Sequence, residues 1–296
     1  MTWQVVARKD FRDAVRSWWL WGLSALFVVF FSVPAYFFAD RVGGAVLEEE
    51  GVRLTSDQFI GLLAEITAFF IPIIAIVIAY AAIAGERDSG TLKLLLSLPH
   101  SRRDIVVGKI VGRGAVVALP VLIGFAAGAI VFLLTPVTLE LGNYVLFALL
   151  SAVLGVVFVA IAVGVSAAAD TSRQAMIGVV AIFVTFALLW GRFASGLVQI
   201  LSNRTGIATE VLLELQLFVR LLNPMDAYTS IAAILWTEES IGARISLFGQ
   251  FEAMTYAELL DPLPVYFSDP VVIALFLAWL VVPPVVGLLV FEDVDL

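Results

Sequence analysis

The sequence predicts an all-α integral membrane protein with six transmembrane helices, an N-terminal amphipathic helix, and a long helical loop before the last span. Three observations carry that prediction. Of the 296 residues, 61% are hydrophobic and the mean hydropathy is +1.04, whereas soluble domains hold roughly 45–50% apolar residues. The excess falls in windows free of Asp, Glu, Lys and Arg: Ser17–Ala39, Ile66–Gly85, Gly114–Leu139, Leu141–Ala169, Gln174–Gly191 and Pro270–Phe291. Each is about as long as the 17–25 residues that a hydrocarbon core demands. The basic residues also divide unevenly between alternate connections, which sets how a chain threads a membrane.

Residues 3–16 place Trp3, Val6, Ala7, Phe11, Ala14 and Val15 on one helical stripe, with Arg8, Lys9, Arg12 and Arg16 largely off it. That is the pattern of a helix lying in the interface plane; a solvated basic lead-in is the plainer alternative. Trp18, Trp19 and Trp21 then form an aromatic anchor at the start of span one. That run begins only at residue 17, behind an acid-containing segment, so it is not expected to be a cleaved signal. Pro34, Pro72, Pro120, Pro283 and Pro284 sit inside spans and predict kinks. Gly124-Phe-Ala-Ala-Gly128 matches a GxxxG packing face, and Gly155 and Gly164 also permit close helix approach. Only Glu140 separates windows three and four, so a short turn is expected near Pro136–Asn143. Before span six, Ile207, Val211, Leu215, Phe218 or Val219, and Leu222 form a stripe that Asn223-Pro224 ends. It is too short and too charged to span and fits an interfacial or re-entrant helix. Residues 241–260 read as a second helix. No internal repeat or linker divides the chain, so residues 1–296 form one membrane domain.

Placing the N-terminus inside puts eleven of the seventeen Lys and Arg residues in the cytoplasm. Four of the other six lie in the long stretch 192–269, where the rule loses force. Both termini are then cytoplasmic in a multi-pass protein of the cytoplasmic membrane. The net charge of −8, with Arg far above Lys, offers no basic face for nucleic acid. It suits a halophilic, salt-adapted organism, while a high-GC genome gives the same Arg bias.

One hydrophilic segment is patterned. In the cytoplasmic loop over 85–113, Asp88 or Ser89 can cap a short helix beginning near Gly90, with Leu92, Leu95 and Leu96 on one face and Pro99 stopping it at Leu98. Ser101-Arg-Arg-Asp104 matches a capping box that starts the helix of span three. Such a leucine face can simply pack back on its own bundle. The whole run Glu86-Arg-Asp-Ser-Gly-Thr-Leu92, then Leu98-Pro-His-Ser-Arg102 with Lys109 downstream, closely resembles the first cytoplasmic loop of six-span permease subunits of ATP-binding-cassette exporters. That is the type-two permease family, which includes the permease for maturation of nitrous-oxide reductase. The resemblance implies a coupling helix docked on an ABC ATPase subunit that carries Mg-ATP, with no cofactor in this chain. Glu86 and Arg87 would be a polar hinge, Gly90, Thr91 and Leu92 would open the coupling helix, and Leu95 and Leu98 would anchor it. Pro99 would end it, Ser101 would cap the next helix, and Arg102 and Arg103 would contact the partner or lipid headgroups. Arg173, in the short loop Asp170–Gln174, would make a second contact. The family works as a dimer or pseudo-dimer of permeases. The acidic end Phe291-Glu-Asp-Val-Asp-Leu296 departs from the basic tail common there.

Several chemistries are excluded or disfavoured. There is no cysteine and one histidine, His100, and no Gly-x-x-x-x-Gly-Lys-Ser/Thr loop for ATP phosphates. The one ionisable residue that stands out near a span is Glu65, read as close to the outer start of span two, where it can reach the interface. The residues alone leave three readings: a permease, an intramembrane enzyme acting on lipid through Glu65, and a scaffold that binds a cytoplasmic partner without moving anything.

Overall fold

A computed structural model describes residues 3–42, 55–92, 101–204, 206–237, 239–248 and 259–292. The described residues contain no strand beyond one isolated bridge between Thr55 and Thr138. Six of their helical stretches are long and apolar enough to cross a membrane: Trp18–Arg41, Ser56–Asp88, Arg102–Leu133, Leu141–Ala168, Ser172–Arg204 and Asp269–Phe291. The chain is a multi-pass membrane protein.

Helix α1 (Trp3–Arg16) stops at Ser17, whose extended backbone turns the chain while its hydroxyl accepts from the Trp19 amide at 3.3 Å. Span one is α2 (Trp18–Phe37), closed by a π turn over Phe38–Val42 one turn beyond Pro34. Span two is α3 (Ser56–Ala79), followed by a turn and the short α4 (Ala84–Asp88). Span three is α5 (Arg102–Leu133) and span four is α6 (Leu141–Ala168), joined by the short turn that Glu140 signals. Span five runs as α7 (Ser172–Val184), a π turn (Thr185–Leu189) and α8 (Trp190–Arg204). It therefore continues well past Gly191, where the first charge had set its expected end. Span six is broken into α12 (Asp269–Ala278) and α13 (Val282–Glu292), with Pro283 and Pro284 in the first turn of the second piece.

Span four is the centre of the bundle, with 67% of its apolar window buried against 17% for span five. Its neighbours approach closely where side chains are absent. A Cβ on Gly164 would lie 2.4 Å from the Pro283 carbonyl oxygen of span six. The Gly124–Gly128 face meets span one in the same way, since a Cβ on Gly124 would lie 2.6 Å from the Phe27 carbonyl oxygen. The GxxxG signal thus serves packing within this chain. Around it, Phe31, Phe125, Phe147 and Tyr144 make a buried aromatic stack, with Phe31 and Phe125 centroids 3.9 Å apart.

Between spans five and six, α9 (Thr209–Leu221) and α10 (Pro224–Thr237) form a hairpin that turns back into the bundle. The Asn223 side chain at its tip donates to the Phe186 carbonyl (3.0 Å), and Trp279 donates to the Leu222 carbonyl (3.1 Å). Phe186 and Trp279 stand mid-way along spans five and six, so the hairpin is re-entrant. Asn223-Pro224 marks its tip rather than its end, because proline is well suited to the first position of the next helix. The second expected helix, over 241–260, is represented by α11 (Ser240–Ile245) and a 3₁₀ turn over Ser246–Phe248; residues 249–258 lie outside the described ones. Arg244 is fully buried and ties this region to span six, through Asp269 (2.5 Å) and the Phe267 carbonyl (2.9 Å).

Candidate functional site

The patterned loop springs from two different roots at one end of the bundle. Its first root is α4. Between α3 and α4 the helix ladder is interrupted, and the freed amides of Ile83 and Ala84 both donate to Ser166 Oγ of span four, each at 3.1 Å. Ser166 is fully buried, so one hydroxyl pins a break in span two. Beyond it, Ser89 caps α4 and Gly90 follows with φ +72°. That left-handed residue ends α4, as glycine does at a helix C-terminus. Helical backbone resumes at Thr91 and Leu92, close to the helix start expected near Gly90; Asp88 accepts from the Ser172 amide at the start of span five (2.8 Å), and the Ser89 hydroxyl lies 2.8 Å from that of Thr91. Leu92 is buried. Leu95, Leu98 and Pro99, the expected anchors and stop, lie outside the described residues.

The second root is the capped start of α5. Ser101 and Asp104 exchange side-chain and backbone hydrogen bonds in the capping box that the spacing predicts. Asp104 also accepts from the Trp3 amide at 3.0 Å, which ties α1 to the same turn.

A buried ion cluster joins the two roots. Lys109, only 3% exposed, donates to Glu86 Oε1 of α4 (2.5 Å) and to Asp10 Oδ1 of α1 (3.0 Å). Arg113 adds a contact to Asp10 (3.5 Å) and donates to the Ile78 carbonyl of span two. Glycines make room for this arrangement. A Cβ on Gly108 would lie 2.6 Å from Val6 Cβ, and one on Gly112 would lie 2.9 Å from the Ala7 carbonyl oxygen. The stripe of α1 that was read as interfacial is therefore partly buried against span three.

The other predicted site residues separate into two groups. Arg87 turns inward: it donates to the Ala169 carbonyl (2.5 Å) and its guanidinium stands 5.6 Å from the Phe291 ring. Arg102 also turns inward, donating to the Phe291 carbonyl and stacking 4.9 Å over that ring. Arg102, half-buried, thereby holds the end of span six to the loop. Arg103 and Arg173 are exposed. Sequence reasoning missed Asp10 and Ser166 and gave Lys109 no role of its own. The available hint was that Lys109 and Arg113, one helical turn apart, stand beside Gly108 and Gly112.

With this geometry in view, the relatives fit. The chain matches the model of the ABC-2 family transporter proteins over residues 4–296. It belongs to that family. It is 34% identical over 227 residues to the probable ABC transporter permease protein NosY of Pseudomonas aeruginosa, covering 75% of this chain and 78% of the relative. It is 33% identical over the same length to the protein of the same description from Stutzerimonas stutzeri. The ABC-2 chain described here is thus a transporter permease, of a family in which ATP hydrolysis lies on a separate ABC ATPase subunit.

Proposed function

We propose that this chain is the membrane subunit of an ABC exporter, driven by nucleotide binding and hydrolysis on a partner ATPase that docks at the 85–113 loop. Two copies, or this chain and a similar one, form the pathway. Both termini and the loop face the cytoplasm, where Mg-ATP is bound by the partner and not by this chain. The ion cluster at Lys109 carries the proposal. A buried charged clamp is costly to assemble, and here it joins an N-terminal helix, the end of span two and the start of span three around one loop. That is what a loop requires if a push on it is to move helices. Arg103 and Arg173, exposed on the two loops of that face, can meet partner carboxylates or lipid phosphates.

The test places a charge on the proposed docking face. Leu95→Asp should abolish co-purification with the ATPase while the permease stays folded, since an unpaired carboxylate in a buried contact costs about 1–3 kcal/mol or more. Unchanged association would remove the loop from the interface. ATP turnover and substrate efflux measured on the wild-type complex separate a transporter from a scaffold.

A further inference from the structure

We propose that the cavity between α3, the π turn of span five and the re-entrant hairpin binds a singly charged organic cation, with Glu65 as its counter-charge. The proposal rests on the transport reading and names its cargo class. The cavity measures about 310 Å³, the lower end of small-molecule sites. Glu65 stands nine residues into α3, about 14 Å along the helix axis from Ser56, at the edge of the apolar window that begins at Ile66, and it is exposed. An ionisable residue bordering a span marks a functional site when its charge has work to perform.

The charges of the lining sum to one negative. Arg220 is committed to Asp226 through Nε to Oδ2 (3.0 Å) and Nη2 to Oδ1 (3.4 Å), and it also donates to the Leu247 carbonyl. Glu65 lines the same cavity and forms no ion pair among the described residues. An anion entering would meet an uncompensated carboxylate; a cation would complete the set. Phe69, Phe186 and Trp236 also line it, and aromatic faces attract an alkylated ammonium. Among the described residues no group of three or more His, Cys, Asp or Glu could hold a metal ion, which favours an organic cation over a bare one. The π turn adds a second mark, since such bulges concentrate at functional sites. It places Phe186 and Ala187 in the cavity wall and is itself held by Asn223.

The experiment uses the full-length permease with its ATPase in lipid nanodiscs, without nucleotide, and equilibrium dialysis of radiolabelled benzyltrimethylammonium. Saturable binding is expected, weakened at least tenfold by Glu65→Gln and largely kept by Glu65→Asp. Ala187→Lys, which brings a competing ammonium into the cavity from span five, should also abolish it. Neopentylbenzene, the uncharged carbon isostere, should not displace the cation. Equal binding by the Gln variant, or displacement by the isostere, overturns the proposal. Association with the ATPase is scored on the same samples. If the subunits associate and the cation does not bind, only this inference falls; if the cation binds and they do not associate, the transport reading falls instead.

Discussion

Lys109→Met offers the sharpest test of the junction at the loop. The wild-type ammonium is 3% exposed and 2.5 and 3.0 Å from two carboxylates whose own side chains are 19% and 12% exposed. Methionine fills much the same volume, so the loss is one of charge rather than packing. Among the described residues it leaves Glu86 with no cation and Asp10 with only Arg113, at 3.5 Å. Removing one partner of a buried ion pair typically costs 3–5 kcal/mol, because the remaining charge is stranded. We expect about 3 kcal/mol or more here, since Glu86 Oε2 and Asp10 Oδ2 are buried and have no hydrogen-bond partner among the described residues. Denaturation of the purified permease in SDS-containing bicelles, followed by tryptophan fluorescence, would measure it. The double variant Lys109→Met with Glu86→Gln should recover 1 kcal/mol or more, because the stranded charge is then gone. The reasoning fails if Lys109→Met changes stability by less than about 0.5 kcal/mol, the range of ordinary surface substitutions, or if the second change adds to the damage.

Other perturbations probe the same structure. Gly90→Ala should cost about 1–2 kcal/mol, since the left-handed backbone at φ +72° penalises any L side chain. Gly90→Pro should be worse because proline cannot leave φ near −65°, and equal stability for all three residues in the bicelle assay would contradict the turn. Ser166→Ala strands the buried amides of Ile83 and Ala84 and should cost about 2 kcal/mol; a neutral result would mean that span two is not pinned there. Gly108→Leu should dislodge α1 from span three, read as a longer spin-label distance between Val5 and Val107. For topology, a cysteine at Glu49 of this cysteine-free chain should react with an impermeant maleimide from outside, whereas one at Ser101 should not; the reverse pattern would invert the assignment of sides.

What the sequence revealed depended on whether the signal was local. The six spans were visible because charge is excluded from each apolar window and returns at its ends. The Ser101–Asp104 box was visible because both partners lie within one turn. Span five overran its expected end because Arg192 sits on a helix that goes on to Arg204, and a charge marks hydration rather than the end of a helix. The α10 helix was hidden for a related reason: Asn223-Pro224 is equally a stop for one helix and a start for the next, and only the contact of Asn223 with Phe186 decides. The Lys109 cluster joins residues 99 and 23 positions apart, so no periodicity contains it. Glu65 was visible as an isolated carboxylate, but its cavity required the hairpin to fold back.

The asymmetry of the two loop roots indicates which helix carries motion. The first root is interrupted: between Ala79 and Ala84 the ladder breaks and Ser166 satisfies the loose amides. The second is the capped start of one unbroken helix of 32 residues, about 48 Å long. Lys109 binds α4 and α1 to that helix, and Arg113 reaches across to Ile78 on the far side of the break. A displacement of the loop would, on the proposed assembly, move α1, α4 and span three together, while span two bends at its break. On the proposed assembly, losing the clamp should loosen α4 from span three without touching the docking face beyond Gly90. Lys109→Gln, milder than the methionine change, should then let the ATPase associate and turn over near the wild-type rate while efflux per ATP falls severalfold. If turnover and efflux fall in equal proportion, the cluster supports the fold alone and span three is not the lever.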